Sequence, residues 1–255
     1  MRILLLHNFY GSGAPSGENQ VFEAERALLQ SRGHEVHVLT RSSDQIRANG
    51  LFGVISGGLS TPWNPRAARA VRLEIERLAP DVVHVHNTFP LLSPSVFYAM
   101  GQHAARVLTL HNYRLLCPAA IPMRDGRVCT ECIDRRSVWP AMRYGCYRGS
   151  RIATVPLALS VALHRAMGTW QSKVDAFITF SEFQRGVIVE AGLPAAKAHV
   201  KPNFYPGSPA VIPFGKREPY VVFVGRIGAE KGVRTLLSEW RAWGYTEREI
   251  RMRGG

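Results

Sequence analysis

Lysine is scarce in this 255-residue chain: Lys173, Lys197, Lys201, Lys216 and Lys231 are all there is, so the other 27 of its 32 basic residues are arginines. No block of five or more like charges occurs, which argues against a nucleic-acid-binding tail. Cysteine numbers four, and the 23 glycines keep no triplet period, excluding a disulfide scaffold and a collagen-like chain. No stretch approaches the roughly 20 apolar residues of a membrane-spanning helix. The opening Met1-Arg2-Ile3-Leu4-Leu5-Leu6-His7 is too short an apolar run for a secretory signal. The expected compartment is therefore the cytoplasm, with the thiols reduced or metal-bound.

What is present suits a globular protein. Hydrophobic residues make up 46% and charged residues 20%, which rules out wholesale disorder. The 32 basic against 19 acidic residues leave a net charge of +13. Such a surplus favours an anionic ligand or an acidic membrane surface, or reflects genome composition alone.

Strand and helix signals alternate. Ile3–Leu6 is wholly apolar, as in a strand buried on both faces of a parallel sheet. Turn-formers fill residues 8–17, and a helix follows over 18–32 with Val21, Ala24 and Leu28 on one face. A strand spans 34–40, a helix 65–78, and a strand 82–86. Ser93-Pro94 opens another helix. Strands are expected over 106–111 and 174–180, helices over 152–167 and from Ser181 to Gly192. The resulting fold class is α/β, an open parallel sheet with helices on both faces. Residues 112–150 are Cys-, Pro- and Arg-rich and aperiodic, so this segment reads as a functional or metal-stapled insert. The Pro/Gly-rich stretch 206–219 is the clearest linker. The expected domains are thus 1–205 and a second piece, 220–255, with a strand over 220–224 and a helix over 230–240.

Four groups of residues carry chemistry. Gly11, Gly13 and Gly17 lie between the first strand and first helix, where backbone N–H groups make an anion site or the glycines form only a tight turn. Their spacing departs from the dinucleotide fingerprint, and the second strand ends in Thr40-Arg41 rather than an acid for a ribose. His86-Asn87 and His111-Asn112 each follow a strand, at the sheet edge where ligands bind. His84 would share a face with His86. Arg226 and Lys231, five apart across a glycine turn, could converge on one diphosphate or be merely solvated. Finally, Cys117, Cys129, Cys132 and Cys146 include one Cys-x2-Cys, compatible with a structural zinc of four thiolates or with four packed thiols.

The segments Ser16-Gly17-Glu18-Asn19, Asp81 through Asn87, Thr109 through Arg114, Phe180-Ser181-Glu182, Pro202-Asn203 and Val224-Gly225-Arg226 with Glu230-Lys231-Gly232 resemble the retaining glycosyltransferases of family 4. They fall in order over residues 1–237. The resemblance implies a GT-B fold of two Rossmann-like domains and transfer of a sugar from a nucleotide-sugar donor. The implied acceptor is a saccharide or lipid-linked molecule, in cell-surface polysaccharide or glycoconjugate synthesis at the inner membrane face. It implies that Arg226 and Lys231 grip the donor diphosphate and that Gly13 and Gly17 approach donor and acceptor. His111 would line the sugar pocket as the catalytic histidine, with His86, Asn87, Asn112 and Asn203 around it. No cofactor is required for catalysis, and no nucleic acid is expected as a partner. The family's Glu-x7-Glu motif has no counterpart after Glu230, so the second domain is expected to be cut short. The alternative is a non-catalytic remnant that binds an acceptor, a membrane surface or a partner protein.

Overall fold

The computed structural model describes residues 1–11, 16–225, 227–244 and 249–253. In chain order the first elements are β1 (Arg2–Phe9), α1 (Gly17–Ser31), β2 (Glu35–Ser42), α2 (Asp44–Ala48), α3 (Gly50–Ser60) and α4 (Pro65–Leu78). Then come β3 (Val82–Asn87), α5 (Val96–Ala99), β4 (Ala105–Thr109), β5 (Met123–Arg124), β6 (Arg127–Val128), α6 (Glu131–Asp134) and α7 (Trp139–Tyr144). The chain continues with α8 (Arg151–Ala166), α9 (Thr169–Ser172), β7 (Ala176–Thr179), α10 (Glu182–Glu190), β8 (Ala198–Val200), β9 (Tyr220–Val224), α11 (Val233–Ala242) and β10 (Glu249–Arg253). It divides into two units: Met1–Pro122 with Cys129–Phe204, and Met123–Val128 with Tyr205–Gly255.

The first unit holds a six-stranded sheet in the order β2-β1-β3-β4-β7-β8, parallel throughout. This is the expected doubly wound, Rossmann-like sheet. Along β1 the side chains alternate between its faces. Leu4 and Leu6 join the larger core with Val83, Val85 and Phe97, whereas Ile3 and Leu5 pack with Phe22 of α1. The sheet order reverses between β1 and β3, so the crevice at their carboxyl ends is the switch point where such folds take ligands. There the β1–β3 register shifts: Leu6 pairs with Val85 and His7 with Asn87, leaving His86 as the extra residue. Bulges of this kind re-aim side chains beside active sites.

Three expectations need correction. The buried face of α1 carries Phe22 and Glu25, and Leu28 is exposed, because Glu25, compensated by Lys201 just past β8, occupies a core-facing place. The helix after Ser93-Pro94 is only the single turn α5. Residues 44–60, without an expected element, form α2 and α3.

In the second unit, β9, α11 and β10 make one parallel β-α-β unit, and β5 with β6 an antiparallel hairpin. Gly225 takes φ +152° after β9, in a region where a side chain is strained.

Candidate active site

The site is built on the carboxyl edge of the first unit's sheet. Near its carboxyl end β1 carries His7, buried and stacked on Phe22 at 4.6 Å between ring centroids. Its Nε2 lies 2.9 Å from Asn19 Oδ1 on α1. β3 supplies His84 and His86, both buried, and they do share a face, since both turn toward Glu25 of α1. His84 Nδ1 is 3.9 Å and His86 Nε2 3.5 Å from Glu25 Oε2. The other carboxylate oxygen, Oε1, accepts from Lys201 Nζ just past β8. His84 Nε2 meets Thr109 Oγ1 at 2.7 Å, and His86 Nδ1 meets His111 Nε2 at 3.2 Å.

Burial governs the charge of these rings. It pulls His84 and His111 down to about 3 and holds His86 well below the ordinary histidine range, with the neighbouring imidazoles and the Lys201 ammonium pushing the same way. His7 is lowered by burial, against its hydrogen bond to Asn19. All four are therefore neutral near pH 7, each with one N–H and one lone pair.

A second network adjoins the first. Asn112 Nδ2 donates to Glu18 Oε1 at 2.8 Å, and Asn112 Oδ1 accepts from the Arg114 backbone at 3.0 Å. Burial raises the Glu18 carboxyl and, with Glu18 beside it, pushes Tyr10 up to about 12. The Arg114 guanidinium lies over Phe89, 4.1 Å from the ring centroid. Asn87 donates to the Asn8 carbonyl at 3.1 Å and receives the Phe89 N–H at 2.9 Å, which fixes the loop after β3. On the far side, Gln184 donates to the Leu110 carbonyl at 2.8 Å and so anchors the residue before His111. A cavity of about 60 Å³ opens here, lined by Asn87, His111, Asn112, Arg114 and Trp170 among others. That is room for a polar group or a few waters. A whole drug-sized ligand needs about 300 Å³ or more.

His86, Asn87, His111 and Asn112 are thus brought together. Gly17 starts α1 with open space where a Cβ would stand. Asn203 is exposed and takes no part in the histidine network among the described hydrogen bonds. Gly13 and Arg226 lie outside the described residues. Lys231 belongs to the second unit, exposed in the turn before α11. Sequence reasoning missed Glu25, Lys201, His7, Asn19 and Thr109 as parts of the site. Asn19, Phe22, Glu25 and Leu29 recur at helical spacing, and an acid within that face was the available signal.

Glu25, His84 and His86 place three donor atoms within 4.8 Å of one another, a spacing that could hold a metal ion. Lys201 already sets an ammonium on the same carboxylate, which opposes a dication there. The four cysteines are free thiols. Cys132 and Cys146 act electrostatically on Cys117, and Cys129 and Cys146 on Cys132, so the insert gathers them in one neighbourhood. Among the described residues, no three of these sulfurs join in a grouping as close as the Glu25 cluster. Burial pushes Cys117 up to about 11, and a zinc ion there would have to displace its proton.

The sequence model of Glycosyltransferase Family 4 matches residues 17–206. No curated protein sequence matches. Among solved structures, the chain is similar to Anabaena Alr3699/HepE, crystallised with UDP and glucose: 15% identity, TM-score 0.43, covering 100% of this chain and 69% of that one. It is also similar to the UDP-N-acetylglucosamine 2-epimerase of Rickettsia bellii, with 13% identity, TM-score 0.42 and coverage of 100% and 62%. The UDP-GlcNAc 2-epimerase of Neisseria meningitidis follows, with 10% identity, TM-score 0.43 and coverage of 100% and 66%. The chain thus spans less than two thirds of either epimerase.

Proposed function

The chain belongs to glycosyltransferase family 4, and from that membership we propose that it moves a sugar from a nucleotide-sugar donor to a saccharide or lipid-linked acceptor with retention of configuration. The observation that carries this reading is His111, held by His86 beside a small cavity at the carboxyl ends of β3 and β4. An imidazole there can meet a hydroxyl of the transferred sugar, with Asn112 and Arg114 next to it. Lys231 and Arg226 offset the charge of the leaving diphosphate, without a catalytic metal, and a phosphate oxygen of the donor takes the acceptor's proton. The four cysteines hold a structural zinc.

A lipid-linked acceptor at the cytoplasmic membrane face is favoured by α3. This helix contains no charged residue and turns Leu51, Phe52, Val54, Ile55 and Leu59 outward, with Phe52 85% exposed. Such a face suits the boundary of an anionic bilayer, as does the net charge of +13.

The test is turnover of a panel of nucleotide sugars with saccharide and lipid-linked acceptors, the product's anomeric configuration being read by NMR. Transfer with retention, lost in His111→Ala, is expected. Absence of transfer with every donor, together with absence of nucleotide binding, would overturn the reading and leave a non-catalytic binding role.

A further inference from the structure

The histidine network has a direction. A carboxylate can only accept hydrogen bonds, and a neutral imidazole has one N–H and one lone pair. Glu25 is buried, its Oε1 is taken by Lys201, and its Oε2 is the anionic oxygen 3.5 Å from His86 Nε2, a buried nitrogen that makes no hydrogen bond of its own among the described residues. A lone pair aimed at this anion would be repelled, so His86 carries its proton on Nε2. Its Nδ1 is then a lone pair, 3.2 Å from His111 Nε2. One of those two nitrogens must donate, and only His111 Nε2 can. The proton of His111 therefore sits on Nε2, and its Nδ1, which has no hydrogen-bond partner within the protein among the described residues, is left as an acceptor.

We propose that Glu25 and His86 are positioning residues that lock His111 in its Nε2–H form, so that its Nδ1 accepts a hydrogen bond from a hydroxyl of the bound substrate. This deepens the transferase reading and rests on it for the identity of the hydroxyl. It also names a selectivity: the locked ring suits a donor such as a sugar hydroxyl and repels a phosphate oxygen, which needs an N–H. No metal is required, because Lys201 supplies the charge that keeps the carboxylate in place.

A change at Glu25 should travel down the chain. In Glu25→Gln the amide oxygen stays with Lys201, since an ammonium can only donate, and the NH2 group takes the place of Oε2. It then donates to His86 Nε2, which moves the His86 proton to Nδ1 and the His111 proton from Nε2 to Nδ1. Long-range 1H–15N correlation spectra of 15N-histidine-labelled full chain near pH 7.5 read each ring nitrogen directly, with His86→Gln and His111→Gln samples assigning the signals. Nε2–H on His111 in the wild type, switching to Nδ1–H in Glu25→Gln, is the expected result. A proton on Nδ1 of wild-type His111 overturns the proposal, as does an unchanged His111 ring in a folded Glu25→Gln chain. If that variant does not fold, the wild-type spectrum decides. Zinc addition that moves the His84 and His86 ring nitrogens would also overturn it. Because the spectra need no turnover, failure here is distinguishable from failure of the transferase reading.

Discussion

Glu25 and Lys201 stand 176 residues apart, and the buried carboxylate depends on the lysine for its only cationic partner among the described ion pairs. The carboxylate side chain is 6% exposed and the lysine 42%. Removing the cation from a fully buried pair costs about 3–5 kcal/mol. Solvent access to Lys201 lowers that, so Lys201→Met should destabilise the protein by about 2 kcal/mol, read as a shift in the urea midpoint. Glu25→Leu added to Lys201→Met should recover part of the loss, and a double variant weaker than the single would contradict this account. The histidines add a pH dependence. Unfolded, each titrates near 6.5, whereas His84 and His111 are held to about 3 and His86 is also low. Above pH 6.5 neither state is protonated. As the pH falls below that value, the unfolded chain takes up protons that the folded one refuses. Stability should be lost from about pH 6.5 toward 3, at up to about 1.4 kcal/mol per pH unit for each ring. Glu18, raised by burial, acts the other way, one group against these three rings and His7, which burial also lowers. Urea midpoints that stay level between pH 7.5 and 5 would show that the rings are not buried neutral.

Among the elements, α3 reverses the usual amphipathic arrangement. Its buried positions are Gly53 and Gly57, and a Cβ at Gly53 would stand 2.1 Å from the Ile46 carbonyl oxygen. Close contact with α2 therefore admits only glycine on the inner face and leaves the large apolar side chains outside. The neighbouring α8, whose Pro156 lies beside Gly58, adds exposed Ile152 and Leu159. Co-sedimentation with phosphatidylglycerol vesicles, weakened by salt, is expected for the wild type. Phe52→Glu with Leu59→Glu should abolish it while leaving the urea midpoint unchanged, and equal binding by both proteins would dismiss α3 as the contact. The cysteine insert carries its own expectation. Protein purified without chelator should contain one zinc per chain, and removing it should lower the melting temperature. Metal-free protein with an unaltered melting temperature would leave four packed thiols as the account.

For the molecule as a whole, the two units differ in how much they bury. The first has apolar clusters on both faces of its sheet. In the second, Val233 is the single buried residue among those described, and Val221, Val222 and Val224 of β9 are exposed. Segments with few buried contacts open at low free-energy cost. Hydrogen exchange should thus be complete in β9 and β10 while amides of β1 and β3 remain protected. Brief trypsin treatment should cut first near Lys216 or Arg217, in the stretch between β8 and β9 whose described regular structure is a single 3-10 turn. Equal protection in both units, or first cuts within the first unit, would show that the second is more firmly held than its burial implies.

The sequence alone determined the parallel sheet, the two His-Asn edges and the family, because strands buried on both faces must be continuously apolar and ligands bind where such strands end. Ile3–Leu6 was legible for the first reason, and the ends of Val82–His86 and Arg106–His111 for the second. It could not determine the partners of those histidines. An acid on a helix ordinarily reads as a solvated residue, and only the order β2-β1-β3-β4-β7-β8 brings α1, β3, β4 and the end of β8 to one place. Nor could periodicity reveal α3, whose pattern of small residues inward follows from the contact with α2. The chemistry of His111 itself was decided by tertiary structure: burial removed its charge, and Glu25, through His86, determined which nitrogen holds the proton.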